Sequence, residues 1–238
     1  LAGWPMAQVL WPGQTPQRRA RVEEAIRRGR LVWHALPGTT HTASLELEDF
    51  VRGMGFSSSL SRRFDQPLPR DAKMTDVPSH SWNVPTALHH AGVEFFHLGS
   101  NRATAAPDLP MLFWWEGPDG SRVLTMYMAE GYGSELVPPP DWPHATWLAL
   151  IHSGDNQGPP PPDVVQKLLA RAERELPGVE IQLGRLSDFS DALLAEEPEL
   201  PVVKADVPDW WIHGLGSMPI ETKMARNARA ENAALESL

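Results

Sequence analysis

Short apolar runs closed by turn residues alternate along this chain with stretches of helical spacing, and that alternation is what most narrows its fold. Leu31–Leu36, closed by Pro37, reads as a buried strand. Ala72–Val77, Val93–Leu98, Met111–Trp115, Arg122–Met128, Thr146–Ile151 and Val202–Ala205 read as further strands. Between them, Gln17–Arg28 with Gly29 as its stop, Leu45–Phe64, Val84–His90 ending at Gly92, Asp163–Leu176 and Ser187–Leu194 read as helices. The runs flanking Gly117-Pro118-Asp119-Gly120 predict a β-hairpin. Strands apolar on both faces and separated by helices predict an α/β domain with a mostly parallel sheet, open or barrel-like.

Composition removes several classes of function. The chain has no cysteine, which excludes disulfides, thiolate zinc sites and cysteine nucleophiles, so any metal must be held by His and carboxylate ligands. A net charge of −9, with one basic cluster from Arg18 to Arg30, lacks the basic stripe of a nucleic-acid binder. No apolar run is long enough to span a bilayer. The missing cysteines fit a cytoplasmic protein slightly better than an exported one, without deciding the compartment. Nothing here fixes the oligomeric state. Ten Trp against two Tyr and seven Phe are compatible with an aromatic core and equally with a sugar-binding cleft.

In α/β sheets the reacting groups lie on the loops after the strands. His34 lies on the first predicted strand, and His41 in the loop after it. Asp76, His80 and Trp82 follow the second. His152, Asp155 and Asn156 follow Thr146–Ile151, and Asp209, Trp210, Trp211 and His213 follow the last. Each also has a plain structural reading: Asp76 as a helix N-cap, His80 as a hydrogen-bonding partner, His213 as a core histidine, the 155–158 segment as a turn, and the tryptophans as core. His89, His90, His97 and His144 read as structural. Carboxylates and imidazoles converging on four strand ends suit a divalent ion such as Zn²⁺ and indicate an active site, though not a particular reaction.

Four segments carry a resemblance: 31–42 (LVWHALPGTTHT), 74–81 (MTDVPSHS), 152–159 (HSGDNQGP) and 209–214 (DWWIHG). Through them the chain, from about Arg18 to Pro219, resembles a bacterial family catalogued as domain of unknown function 5054. That family is in turn similar to the catalytic domain of family-38 glycoside hydrolases, the retaining α-mannosidases. The resemblance implies a glycoside hydrolase/deacetylase-like (β/α) barrel over residues 1–215, lacking its first strand, with 216–238 beginning a helical region. It implies zinc, or another divalent ion, on Asp76 and on His213 or its competitor His152. It makes Asp76 the nucleophile and leaves the acid/base open between Asp155 and Asp209. His34, His41, His80, Trp82, Asn156, Trp210 and Trp211 are then candidates for sugar contacts. The family's His-x-Asp metal pair has no counterpart and would precede Leu1. The expected activity is retaining hydrolysis of an α-glycoside. The alternatives are a polysaccharide deacetylase-like hydrolase, for which the Asp-Asp and His-x₃-His pattern is missing, and a carbohydrate-binding domain without catalysis.

Overall fold

The computed structural model describes residues 13–77, 80–152, 160–207, 211 and 213–235, with His213 and Ala233 described in backbone only. Helix α1 (Pro16–Arg27) starts on Thr15, whose hydroxyl accepts the Arg18 N–H, and stops at Gly29, whose φ of +67° suits a residue without a Cβ. A 3-10 turn (Thr42–Ser44), α2 (Leu47–Gly53) and α3 (Gly55–Phe64) follow. The single helix expected over Leu45–Phe64 is therefore two, joined at Met54 between Gly53 and Gly55, because glycine on both sides weakens the helix there.

The sheet consists of β1 (Asp71–Asp76), β2 (Phe95–Ser100), β3 (Leu112–Glu116), β4 (Arg122–Met128) and β5 (Val202–Val203), in the order β1-β2-β4-β3-β5. Three of its four pairings are parallel, and β3–β4 is the antiparallel hairpin predicted around Gly117–Gly120. The expected α/β class with a mostly parallel sheet is what the chain forms. Among the described residues the sheet is open, with β1 and β5 at its edges, and no pairing closes it into a barrel.

Helix α4 (Val84–His90) crosses back over one face after β1. On that face Ala72, Met74, Phe96, Leu98, Phe113, Trp115 and Tyr127 pack with Leu88, Leu36 and Phe50. The opposite face packs Phe95, Leu112, Leu124 and Met126 against Phe189 and Leu193 of α6 (Leu186–Leu194), with Trp142 and Trp147 beside them. Asp71 fastens α6 by accepting the Ser187 N–H at 3.0 Å, which satisfies one of the donors left open in a helix's first turn. The remaining helices are α5 (Pro162–Glu175), α7 (His213–Ser217) and α8 (Pro219–Leu235). Arg229 ties α8 to the α2 region through the Ser44 carbonyl, Glu46 and Asp49. No described helix is long and apolar enough to cross a membrane.

Two expected strands are not strands. Leu31–Leu36 runs beside the open edge of β1, yet only the Ala35 N–H reaches it, at the Asp71 carbonyl (2.9 Å). The Leu36 N–H is taken locally by His34 Nδ1 and Pro37 has none to give, so the ladder stops. In Thr146–Ile151 side chains replace ladder bonds: Glu196 accepts the Thr146 N–H, and the Ser134 hydroxyl accepts the Leu150 N–H and donates to the Leu148 carbonyl. β5 keeps only the first half of its expected span.

Candidate active site

Asp76 closes β1 with a φ of +79°, and the Val77 N–H folds back to the Thr75 carbonyl at 3.1 Å. That is a three-residue turn of the strained, positive-φ kind, which aspartate tolerates better than most side chains and which is enriched at functional sites. Two donors grip one carboxylate oxygen. Asn101 Nδ2 and the Tyr132 hydroxyl donate to Asp76 Oδ1 at 2.6 and 2.5 Å, and Asn101 Nδ2 also reaches the Tyr132 oxygen at 3.0 Å. Oδ2 has no hydrogen-bond partner among the described residues, and the residue is partly exposed.

The strand ends dictate this constellation. Asn101 follows β2 directly, and its own Oδ1 accepts the Ala103 N–H to fix the turn. Tyr132 stands between Gly131 and Gly133 in the segment leaving β4 and is carried over Gly99 of β2. A Cβ on Gly99 would meet the Gly131 oxygen at 2.7 Å and Tyr132 Cα at 2.8 Å, so glycine is what lets the segment approach. Arg102 Nε holds the same segment through the Glu130 carbonyl at 2.6 Å. The His152 ring lies 6.0 Å from that of Tyr132, centroid to centroid, and against Gly133.

Thus Asp76 and His152 share one neighbourhood. The remaining sequence candidates are placed elsewhere or not described. His80 is buried under the sheet: its backbone pairs with Val207, its Nδ1 lies 3.2 Å from the Thr42 hydroxyl, and its ring meets Phe96 edge-on. Burial pushes its pKa down to about 4. Trp82 commits its indole N–H to the Glu116 carbonyl at 2.6 Å. His41 lies 6.0 Å from Trp211, ring to ring, and His34 lies beside the open edge of β1. Asp155, Asn156, Asp209 and Trp210 lie outside the described residues, as does the side chain of His213. Asn101 and Tyr132 escaped the sequence reading, although Asn101 directly follows β2 and Tyr132 stands four residues after β4. Attention to any polar side chain after a strand, not only to His and Asp, would have found them.

A second polar group lies on the other side of β1. Lys73, His97 and Met126 are register partners across β1, β2 and β4. His97 is fully buried, neither ring nitrogen has a hydrogen-bond partner among the described residues, and burial, followed by the Lys73 charge, pushes it down to about 3. Burial and the same lysine bring His34 to about 3, and burial brings Lys73 itself to about 8.

The resemblance implies a zinc site, and the donor set tests it. Among the described residues no group of three or more His, Asp or Glu side chains is arranged to hold a metal, so these donors alone do not fit one.

Fold and site define an α/β domain with a partly exposed, doubly hydrogen-bonded carboxylate, Asp76, at the carboxyl end of a strand in a mostly parallel sheet. The family model "Glycosyl hydrolases family 38 N-terminal domain" matches residues 5–141, more than half of the chain, and the chain belongs to that family. Among solved structures it is similar to an α-mannosidase from Enterococcus faecalis V583, with 20% identity, a TM-score of 0.63, and coverage of 81% of this chain and 24% of that one. It is also similar to a protein in glycosyl hydrolase family 38 from Enterococcus faecalis (18% identity, TM-score 0.55, 80% of this chain and 22% of that one). A third likeness is to the 4-α-glucanotransferase from Thermococcus litoralis (14% identity, TM-score 0.54, 89% and 33%). At these identities the likeness is one of fold, and the chain spans between 22% and 33% of the length of these structures. No curated protein matches the chain.

Proposed function

We propose that this chain is the catalytic domain of a glycoside hydrolase that cleaves α-glycosides with retention, and that Asp76 is the nucleophile. The observation that carries the reading is the gripped carboxylate. Asn101 and Tyr132 fix Oδ1, which holds the group in one rotamer and turns Oδ2 into the free attacking oxygen.

In the first step Oδ2 attacks the anomeric carbon and the glycosidic bond breaks. The leaving oxygen takes a proton from a second carboxylic acid, for which Asp155 and Asp209 are the candidates. In the second step that carboxylate removes a proton from water, the water attacks the anomeric carbon, and Asp76 leaves. The Tyr132 and Asn101 donors stabilise the carboxylate as it departs, since hydrogen bonds to an ionised acceptor are stronger than those to an ester oxygen. In this reading His152, whose ring lies 6.0 Å from that of Tyr132, lines the sugar subsite. Zinc on Asp76 with His152 or His213 belongs to the family resemblance, and no step here is routed through it.

The test is hydrolysis of a panel of aryl α-glycosides by the protein carrying this chain. Release by the wild type and none by Asp76→Asn supports the reading. Equal turnover by both overturns the nucleophile assignment, and acetate release from acetylated glycans without glycosidic cleavage replaces the reaction class.

A further inference from the structure

Lys73 has a feature that the proposed hydrolysis leaves unused: among the described residues it is a charged side chain with no partner. No carboxylate pairs with it and no hydrogen bond reaches it among the described residues; burial is the one influence on its ammonium. The carboxylate two residues away on the same side of β1, Asp71, is already engaged by the Ser187 N–H at the start of α6. Its neighbours are nitrogen bases. His97 is its register partner on β2, and His34 stands on the other side, along the open edge of β1. Both imidazoles feel the lysine's charge.

The histidines are kept neutral, so each offers one N–H. In His34 the Leu36 N–H occupies Nδ1 as acceptor, which leaves the proton on Nε2. In His97 both ring nitrogens are buried without a partner among the described residues, an arrangement that buried polar groups rarely retain unless something else completes them. An ammonium beside two neutral imidazoles, with no counter-charge among the described residues, is complementary to an oxyanion. Lys73 lies three residues, about 10 Å of strand, before Asp76. Directly above it on the same face are Thr75 and Gly99, over which Tyr132 is carried to Asp76.

We propose that Lys73, flanked by His34 and His97, is the recognition point for an oxyanion borne by the substrate. The glycoside handled at Asp76 is then an anionic one, a uronic acid or a sugar carrying sulfate or phosphate. The proposal rests on the glycoside-hydrolase reading, and it names the substrate class of that site. The missing partner of Lys73 comes with the ligand, so neutral sugars leave a buried charge unpaired and are rejected.

Calorimetric titration at matched ionic strength tests this. The ligands are glucuronic acid, a sugar sulfate and a sugar phosphate, each with its uncharged parent, and inorganic sulfate and phosphate alone. At least one charged sugar binds about tenfold or more tighter than its parent. Lys73→Met abolishes that preference and Lys73→Arg keeps it, with Lys73→Gln standing in should the methionine variant not fold. Asp76→Asn retains the preference, so a failure of the nucleophile assignment and a failure of this proposal are separate results. The proposal is overturned if neutral sugars bind as well as charged ones, if the inorganic ion alone matches the sugar-borne group, or if the preference survives loss of the lysine charge.

Discussion

Gly99→Ala tests whether the segment that carries Tyr132 depends on a bare backbone in β2. The added Cβ would stand 2.7 Å from the Gly131 oxygen, 2.8 Å from Tyr132 Cα and 3.2 Å from Thr75 Cγ2. The first two are backbone atoms and cannot rotate away. Ordinary contact begins near 3.4 Å, so the 131–133 segment must withdraw by roughly half an ångström or more. Overpacking of this kind costs about 1–3 kcal/mol, and about 2 kcal/mol in a chain of this size lowers Tm by about 4–8 °C. The same withdrawal lengthens the 2.5 Å bond from Tyr132 to Asp76, so turnover falls together with stability. Thermal melts and hydrolysis rates of Gly99→Ala measured beside Tyr132→Phe separate the two effects. Tyr132→Phe removes the donor without the clash, so it lowers turnover with a much smaller change in Tm. A Gly99→Ala protein with unchanged Tm and unchanged turnover would refute the reasoning.

Other consequences follow from the buried groups. His80 and His97 have pKa values near 4 and 3 against 6.5 when unfolded, so the unfolded chain takes up protons first as pH falls. Their contribution is fully present above about pH 6.5 and is lost as pH drops toward the folded values, about 2 kcal/mol each by pH 5. Urea midpoints between pH 7 and 5 should therefore fall, and less steeply in His97→Leu; equal slopes would contradict the burial argument. Asp71→Ala strips the Ser187 N–H of its partner and should destabilise the chain by about 1–3 kcal/mol in denaturant melts, with α6 losing amide-exchange protection first. Trp115→Phe gives up the bond to the Ala205 carbonyl and fully buried volume, and should cost about 2 kcal/mol or more by the same assay.

Much of this architecture was legible because its signals are local. Arg122–Met128 and Val84–His90 form over the residues where periodicity and turn glycines put them, and the hairpin follows from its four-residue turn. Leu31–Leu36 misled because its apolar pattern is a strand's, whereas its hydrogen bonding is decided by His34 and Pro37. Thr146–Ile151 failed for a related reason: the Ser134 and Glu196 side chains, distant in sequence, take the backbone groups a ladder would have used. Asp76 is a candidate from its motif alone, but the hydrogen bonds that hold its carboxylate are not readable there. That grip depends on Gly99 admitting a segment more than thirty residues away, a contact between backbones that no residue pattern announces. Lys73 and His97 were invisible for the converse reason. Only the parallel register of β1 and β2 makes them neighbours.

The most direct test of the central claim is to trap the glycosyl–enzyme intermediate with an activated fluoroglycoside and map the labelled peptide by mass spectrometry. A retaining enzyme with Asp76 as nucleophile yields one sugar adduct on the carboxylate of Asp76, and none in Asp76→Asn. An adduct on a different carboxylate, or hydrolysis by Asp76→Asn at the wild-type rate, would contradict it.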